Sequence, residues 1–142
     1  MTIPDNLAEL TIIMGGIISL FVAVGHSTFY RLFNWKTEFE KITILNRKVL
    51  YTIHIFLTLL FFSFGILSLA YAKELSSGKG LGAGVSLAYG LFWLVRLLWQ
   101  IIYFRPSAVP HDRKLLLFHC FLIAVFIVLS ACYLLPVCKE QL

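Results

Sequence analysis

The sequence predicts an all-α protein, an antiparallel four-helix transmembrane bundle, on three observations. Of the 142 residues, 60% are hydrophobic and only 13% are charged, against about 45–50% apolar and about 25% charged in an ordinary soluble domain. Four long apolar runs, at about 10–30, 50–72, 81–104 and 115–137, each reach the ~20 residues that carry a helix across a ~30 Å hydrocarbon core. The connectors between them are short and leave little chain for anything soluble, so residues 1–142 read as a single integral membrane domain. A soluble fold of this composition would expose large apolar patches and aggregate.

The first run follows MTIPDNLAE, which holds Asp5 and Glu9 and no Lys or Arg. A secretory leader begins with a basic segment and has a shorter apolar core, so this helix is expected to be kept. Stepping 100° per residue, Gly15, Ser19 and His26 share a stripe, with Val22 and Ala23 beside it. In the connector RLFNWKTEFEKITILNRK, Leu32, Trp35, Phe39 and Ile42 fall on one helical face, as in a basic amphipathic piece lying on anionic headgroups.

The second run lines up His54, Thr58, Gly65, Ser68 and Ala72, with Phe61 among them. The segment KELSSGKGLGAG has the glycine content of a phosphate loop but lacks the GKS or GKT ending and follows no strand, so a flexible outer loop is expected. The third run carries Tyr89, Trp93, Arg96, Gln100 and Tyr103 on one stripe. Gly80, Gly84 and Ala88 sit on another side, where a small-xxx-small pattern favours close packing. FRPSAVPHDRK is a turn broken by Pro106 and Pro110.

The fourth run places His119, Phe126, Ser130 and Tyr133 together. Cys120, Cys132 and Cys138 form no CxxC or zinc-like spacing. Cys120 and Cys132 are expected to be small buried residues within the span, and Cys138 to lie at the outer surface.

The net charge of +5 is not spread as a nucleic-acid patch would be. Arg31, Lys36, Lys41, Arg47 and Lys48 lie in one connector and Arg105, Arg113 and Lys114 in another, whereas the opposite side has only Lys73, Lys79 and Lys139. Basic loops stay in the cytoplasm, so both termini are expected outside it. Membrane lipids are then the expected partners, nucleic acid is not, and a second copy or a partner membrane subunit stays open.

Counting ~1.5 Å per residue, His26, His54, His119 and Gln100 occupy one layer ~6 Å below the cytoplasmic boundary, with Arg96 a turn deeper. An ionisable residue inside a membrane marks a functional site by default, and no Asp or Glu falls within the spans at the depth of Arg96; Asp112 in the turn is the nearest acid in sequence. Either Arg96 donates to carbonyls and hydroxyls, stacks on Trp93 or Trp99 and snorkels, or an anionic ligand supplies the counter-charge. Two facing histidines among His26, His54 and His119 would alternatively hold a b-type haem, and three a divalent metal, although no HExxH or CxxCH spacing assigns either. Inward histidines also serve as plain interhelical hydrogen-bonding groups. No carboxylate pair or activated nucleophile accompanies the layer, which argues against a hydrolytic enzyme.

The third span resembles a family of small, uncharacterised bacterial four-span membrane proteins. The resemblance rests on W-x-x-R-x-x-x-Q-x-x-Y-F, here Trp93, Arg96, Gln100, Tyr103 and Phe104, and on F-G-x-L-S, here Phe64, Gly65, Leu67 and Ser68. It implies a multi-pass protein of the inner (cytoplasmic) membrane and carries no activity with it. The histidines are not part of the pattern, so it moves weight to the Arg96–Gln100 stripe. The leading expectation is a binding or accessory protein in which Arg96 and Gln100 hold an anionic lipid-like or quinone-like ligand. Trp93, Tyr103 and Tyr89 would shape its pocket. A haem b cytochrome and a purely structural subunit are the alternatives.

Overall fold

A computed structural model describes residues 4–104 and 113–138. Over these residues the chain forms α1 (Asp5–Ser27), α2 (Phe29–Leu32), α3 (Trp35–Glu40), α4 (Ile44–Ala70), α5 (Ala72–Ser76), α6 (Gly80–Ile102) and α7 (Arg113–Cys138), with no strand among them. α1, α4, α6 and α7 are each long and apolar enough to cross a membrane. The chain is therefore a small multi-pass membrane protein, its spans helical because lipid offers no partner for an unpaired backbone group.

Neighbouring spans meet in inverse order. Gly16 faces Ser68 and His26 faces His54 across α1 and α4. Phe61 stacks on Trp93 and Phe64 on Tyr89 across α4 and α6. Gly90 faces Leu134 and Gln100 faces His119 across α6 and α7. Consecutive spans thus run in opposite directions, forming the expected four-helix bundle.

Each boundary has a local cause. α1 starts near Pro4, earlier than its apolar run, and ends before Thr28, where the Ser27 and Thr28 hydroxyls donate to the Val24 and Gly25 carbonyls at 2.6 and 2.7 Å. The last aromatic residues of the run belong instead to α2. α4 reaches back to Ile44 because Thr43 caps it, its Oγ1 accepting from the Asn46 N–H at 3.3 Å.

Four expectations from the sequence are corrected. The connector 31–48 is not one amphipathic helix: Asn34 adopts a left-handed φ of 48° and divides α2 from α3. Phe39 is buried and stacks on Trp35, while Leu32 stands exposed. Trp35 and Phe39 fold against the start of α4, meeting His54 and Tyr51 at 4.8 and 5.1 Å between ring centroids.

The segment after the second span is likewise no open loop. α5 buries Ala72, Leu75 and Ser76, and the Ser86 hydroxyl donates to the Leu75 carbonyl at 2.7 Å. The small-residue seam of α6 is also not Gly80–Gly84–Ala88. Gly84 and Ala88 are exposed, and the buried seam is Ser86 and Gly90, preceded by Gly82 against the Glu74 carbonyl. Both seams have the same spacing, so only the position of α5 and α7 distinguishes them. Cys120, expected inside, lies on the exposed face of α7, while Cys132 is buried and Cys138 exposed.

Backbones approach closely between α1 and α4, α1 and α7, and α6 and α7. Gly15 lies under the Tyr133 ring, and Gly16 and Gly65 let α1 and α4 touch, the small-residue packing expected where lipid gives no hydrophobic drive between helices. α4 and α6 meet instead through rings: Phe64 on Tyr89 at 3.9 Å and Phe61 on Trp93 at 5.2 Å.

One polar tie crosses the bundle. Ser68 Oγ donates to the Phe64 carbonyl at 2.6 Å, so its contact of 2.8 Å with Tyr133 Oη must be a donation from the tyrosine. Ser19 Oγ, 3.3 Å away, is left to donate to Tyr133. One hydroxyl thus joins α1, α4 and α7.

Two outcomes follow for unfolding in detergent. Gly82→Ala should cost about 1–3 kcal/mol, because its Cβ would run into rigid backbone, whereas Gly84→Ala, with open space around it, should be neutral or slightly stabilising. Tyr133→Phe should cost about 1 kcal/mol, within the range of intramembrane hydrogen bonds.

Candidate functional site

The half of the bundle beside α2 and α3 gathers most of the costly side chains of the spans. Arg96 projects from α6, half-buried, with its guanidinium carbon 5.1 Å from the centroid of the Phe126 ring on α7. Among the described residues no carboxylate comes within ion-pair distance of it. Asp112, the nearest acid in the sequence, lies outside the described residues, as do Arg105 and Lys139, which entered the orientation argument. A charged side chain at mid-span costs about 2.5–3.5 kcal/mol on insertion scales. A cation–π contact returns roughly 0.5–2 kcal/mol, so Phe126 offsets only part of that cost.

Arg96 forms part of the wall of a cavity of about 480 Å³, within the size range of small-molecule sites. α1 and α7 supply most of its lining, with Leu57 and Phe61 of α4 at the back. Among the described residues, Arg96 and His26 are the only charged or strongly polar ones in a lining that is otherwise apolar. Phe21 and Phe121 line it while remaining 73% and 62% exposed, so it opens sideways between α1 and α7. Towards α2, Phe29 packs edge-on against Phe118 at 6.3 Å.

The layer of histidines and glutamine resolves into two pairs. His26 and His54 lie 4.4 Å apart between ring centroids and tilted by 32°, with Trp35 edge-on to His54. On the other side, Gln100 Nε2 donates to His119 Nδ1 at 2.9 Å, joining α6 to α7. Whichever way that amide is turned, half of it bonds His119 and the other half does not. Gln100 is only 3% exposed, and its Oε1 is buried without a hydrogen-bond partner among the described residues, as are His26 Nε2, His54 Nδ1 and Trp93 Nε1. Among the described residues these four atoms gather in adjacent layers of the bundle.

The residues singled out in the sequence therefore separate. Arg96 faces the cavity and His26 joins it there. Gln100 is one turn away, engaged with His119. Trp93 is fully buried at the bundle centre, stacked between Phe61 at 5.2 Å and Phe126 at 5.7 Å, and Tyr89 is packed on Phe64. Neither lines the cavity.

Tyr103, expected on the inward stripe, is 65% exposed and stacks on Trp99 at 4.9 Å. It follows the last residue of α6, beyond the regular turns that would aim it inward. What the sequence did not reveal is the apolar lining, including Phe21, Phe118 and Phe121. These look like any lipid-facing residues in a greasy span.

The His26–His54 pair does not suit a haem. Axial ligation requires the plane of the macrocycle between the two imidazoles, and these rings are in direct contact. Among the described residues no three His, Cys, Asp or Glu side chains converge as a metal set. Compared with protein-family models, curated proteins and solved structures, the chain matches none.

Gln100→Leu should remove one interhelical hydrogen bond, costing about 1 kcal/mol of stability. It should move the ¹⁵N resonance of His119 while leaving those of His26 and His54 in place, a pattern that solid-state NMR of histidine-labelled protein would register.

Proposed function

We propose that this chain is a ligand-binding or accessory protein of the membrane, in which Arg96 holds an anionic lipid-like or quinone-like molecule in the cavity between α1 and α7. The observation that carries the reading is the guanidinium itself. It is half-buried in a span, has no carboxylate partner among the described residues, and forms part of the wall of an apolar cavity open towards lipid. An anion there would cancel the part of the burial cost that Phe126 leaves. His26 lies on the same wall. Gln100, Trp93 and Tyr89 act one layer back, fixing the α6 face from which Arg96 projects, and Tyr103 anchors the end of α6. The likeness of α6 to the small four-span bacterial family belongs to the same proposal, as does placement in the inner membrane with both termini outside the cytoplasm.

Gentle native mass spectrometry tests the ligand. The wild-type protein should retain an anionic or quinone-class molecule, Arg96→Lys should keep it in part, and Arg96→Leu should lose it. If Arg96→Leu kept the same bound molecules and folded equally well, the polar layer would serve only helix packing. Orientation has its own check. With Cys120, Cys132 and Cys138 replaced by serine, a cysteine placed at Ser77 should react with an impermeant maleimide added outside intact cells, and one placed at Lys36 should not; the reverse labelling would overturn the topology.

A further inference from the structure

The shape and depth of the Arg96 cavity narrow its occupant further. Arg96 lies about 9 Å inside the end of α6, at ~1.5 Å per residue from Ile102. Phospholipid phosphates sit at the level of the helix ends, so a two-chain lipid would have to sink its headgroup by that distance into hydrocarbon. Towards α2, Phe29 and Phe33 both pack on Phe118, at 6.3 and 6.5 Å. The lateral mouth between α1 and α7 opens past the exposed Phe21 and Phe121. A molecule entering there from lipid presents its polar end inward.

The polar part of the wall it meets is small: among the described lining residues only Arg96 and His26 are strongly polar, and the rest are apolar. A neutral quinone carbonyl would accept a hydrogen bond from Arg96 but leave its charge uncompensated. A carboxylate both accepts and neutralises, and its two oxygens match the planar donor fork of an arginine. A cavity of about 480 Å³ drawn out along α1 and α7 suits one chain.

We propose that the cavity takes a single-chain amphiphile with a carboxylate head, a fatty-acid-like molecule seated head-first against Arg96 with its chain running out between α1 and α7. This rests on Arg96 being the anion site inferred above. The mouth holds a position where that path can be blocked without disturbing the fold. Gly25 lines the cavity, and a Cβ built on it meets nothing within 4 Å, so Gly25→Leu fills the opening and leaves the packing alone.

The test uses the full chain in phosphatidylcholine nanodiscs with a diazirine-bearing palmitate as photoprobe, crosslinks being mapped by mass spectrometry. Crosslinks should fall on the cavity segments of α1 and α7, be suppressed by unlabelled palmitate, and drop at least about tenfold in both Gly25→Leu and Arg96→Leu, as expected for loss of a charge-assisted contact or of the space itself. Hexadecanol, which has the chain without the charge, should compete about tenfold less well. The melting temperature of Gly25→Leu should match the wild type, and that of Arg96→Leu should be no lower, since the change removes a charge from the span.

Hexadecanol competing as well as palmitate, or unimpaired labelling in Gly25→Leu, would overturn the assignment. So would Arg96-dependent displacement by phosphatidylglycerol or a decyl quinone but not by palmitate, a result that leaves the broader anion-or-quinone site standing. Labelling indifferent to Arg96→Leu and to every competitor would remove both.

Discussion

The Tyr133 hydroxyl is the contact on which the bundle turns. It donates to Ser68, accepts from Ser19, and so fixes α1, α4 and α7 to a common depth with a single oxygen. Such a tie forms only because glycines stand beside it. Gly15 lies directly beneath the Tyr133 ring, and Gly16 and Gly65 bring the α1 and α4 backbones together. In water, burying apolar surface would hold four helices together without such care. In lipid the surroundings are as apolar as the helices, and close packing with a few interhelical hydrogen bonds must do it. On the far side of Tyr133, Ser86 and Gly82 draw α6 against α5 in the same manner.

Aromatic rings complete what the glycines begin. α4 and α6 do not approach closely by backbone, and the space between them is filled by Phe61, Phe64, Tyr89, Phe92 and Trp93. Trp93 is at the centre of this stack, and the ring on its far side, Phe126, is also the one beneath the Arg96 guanidinium. The core and the candidate site are thus continuous. The arginine is seated on the face of a ring whose position is set by the packing of three helices.

Much of this could be read from the residues. Run length gave the four spans, and the 100° periodicity found Ser19 and His26, His54 and Ser68, Arg96 and Gln100, and Ser130 and Tyr133 on inward faces. Polar residues in a greasy helix are scarce and costly, so their spacing carries information. Apolar residues carry little, because a span is apolar on every side, and so the cavity lining was invisible. The two candidate seams of α6 differ only in register, and the choice of Gly82 over Gly84 depends on where α5 lies. The identity of the pairs was equally hidden. Depth placed three histidines and a glutamine in one layer, but only the azimuth of each helix decides that His26 meets His54 while His119 meets Gln100.

The distribution of these contacts along the axis gives the molecule a mechanical character. Near α5 it is clamped, by glycine seams, by the Ser86 bond and by the shared tyrosine. Towards α2 and α3 the described residues hold it by ring contacts, by the Gln100–His119 bond and by the Arg47 Nε–H donated to the Phe39 carbonyl at 2.9 Å, with a cavity between α1 and α7. Local opening occurs where backbone packing and buried contacts are fewest. Among the described residues, α1 and α7 are thus tied most closely at Tyr133 and spread apart around the cavity, so local opening of this pair is expected first in front of Arg96.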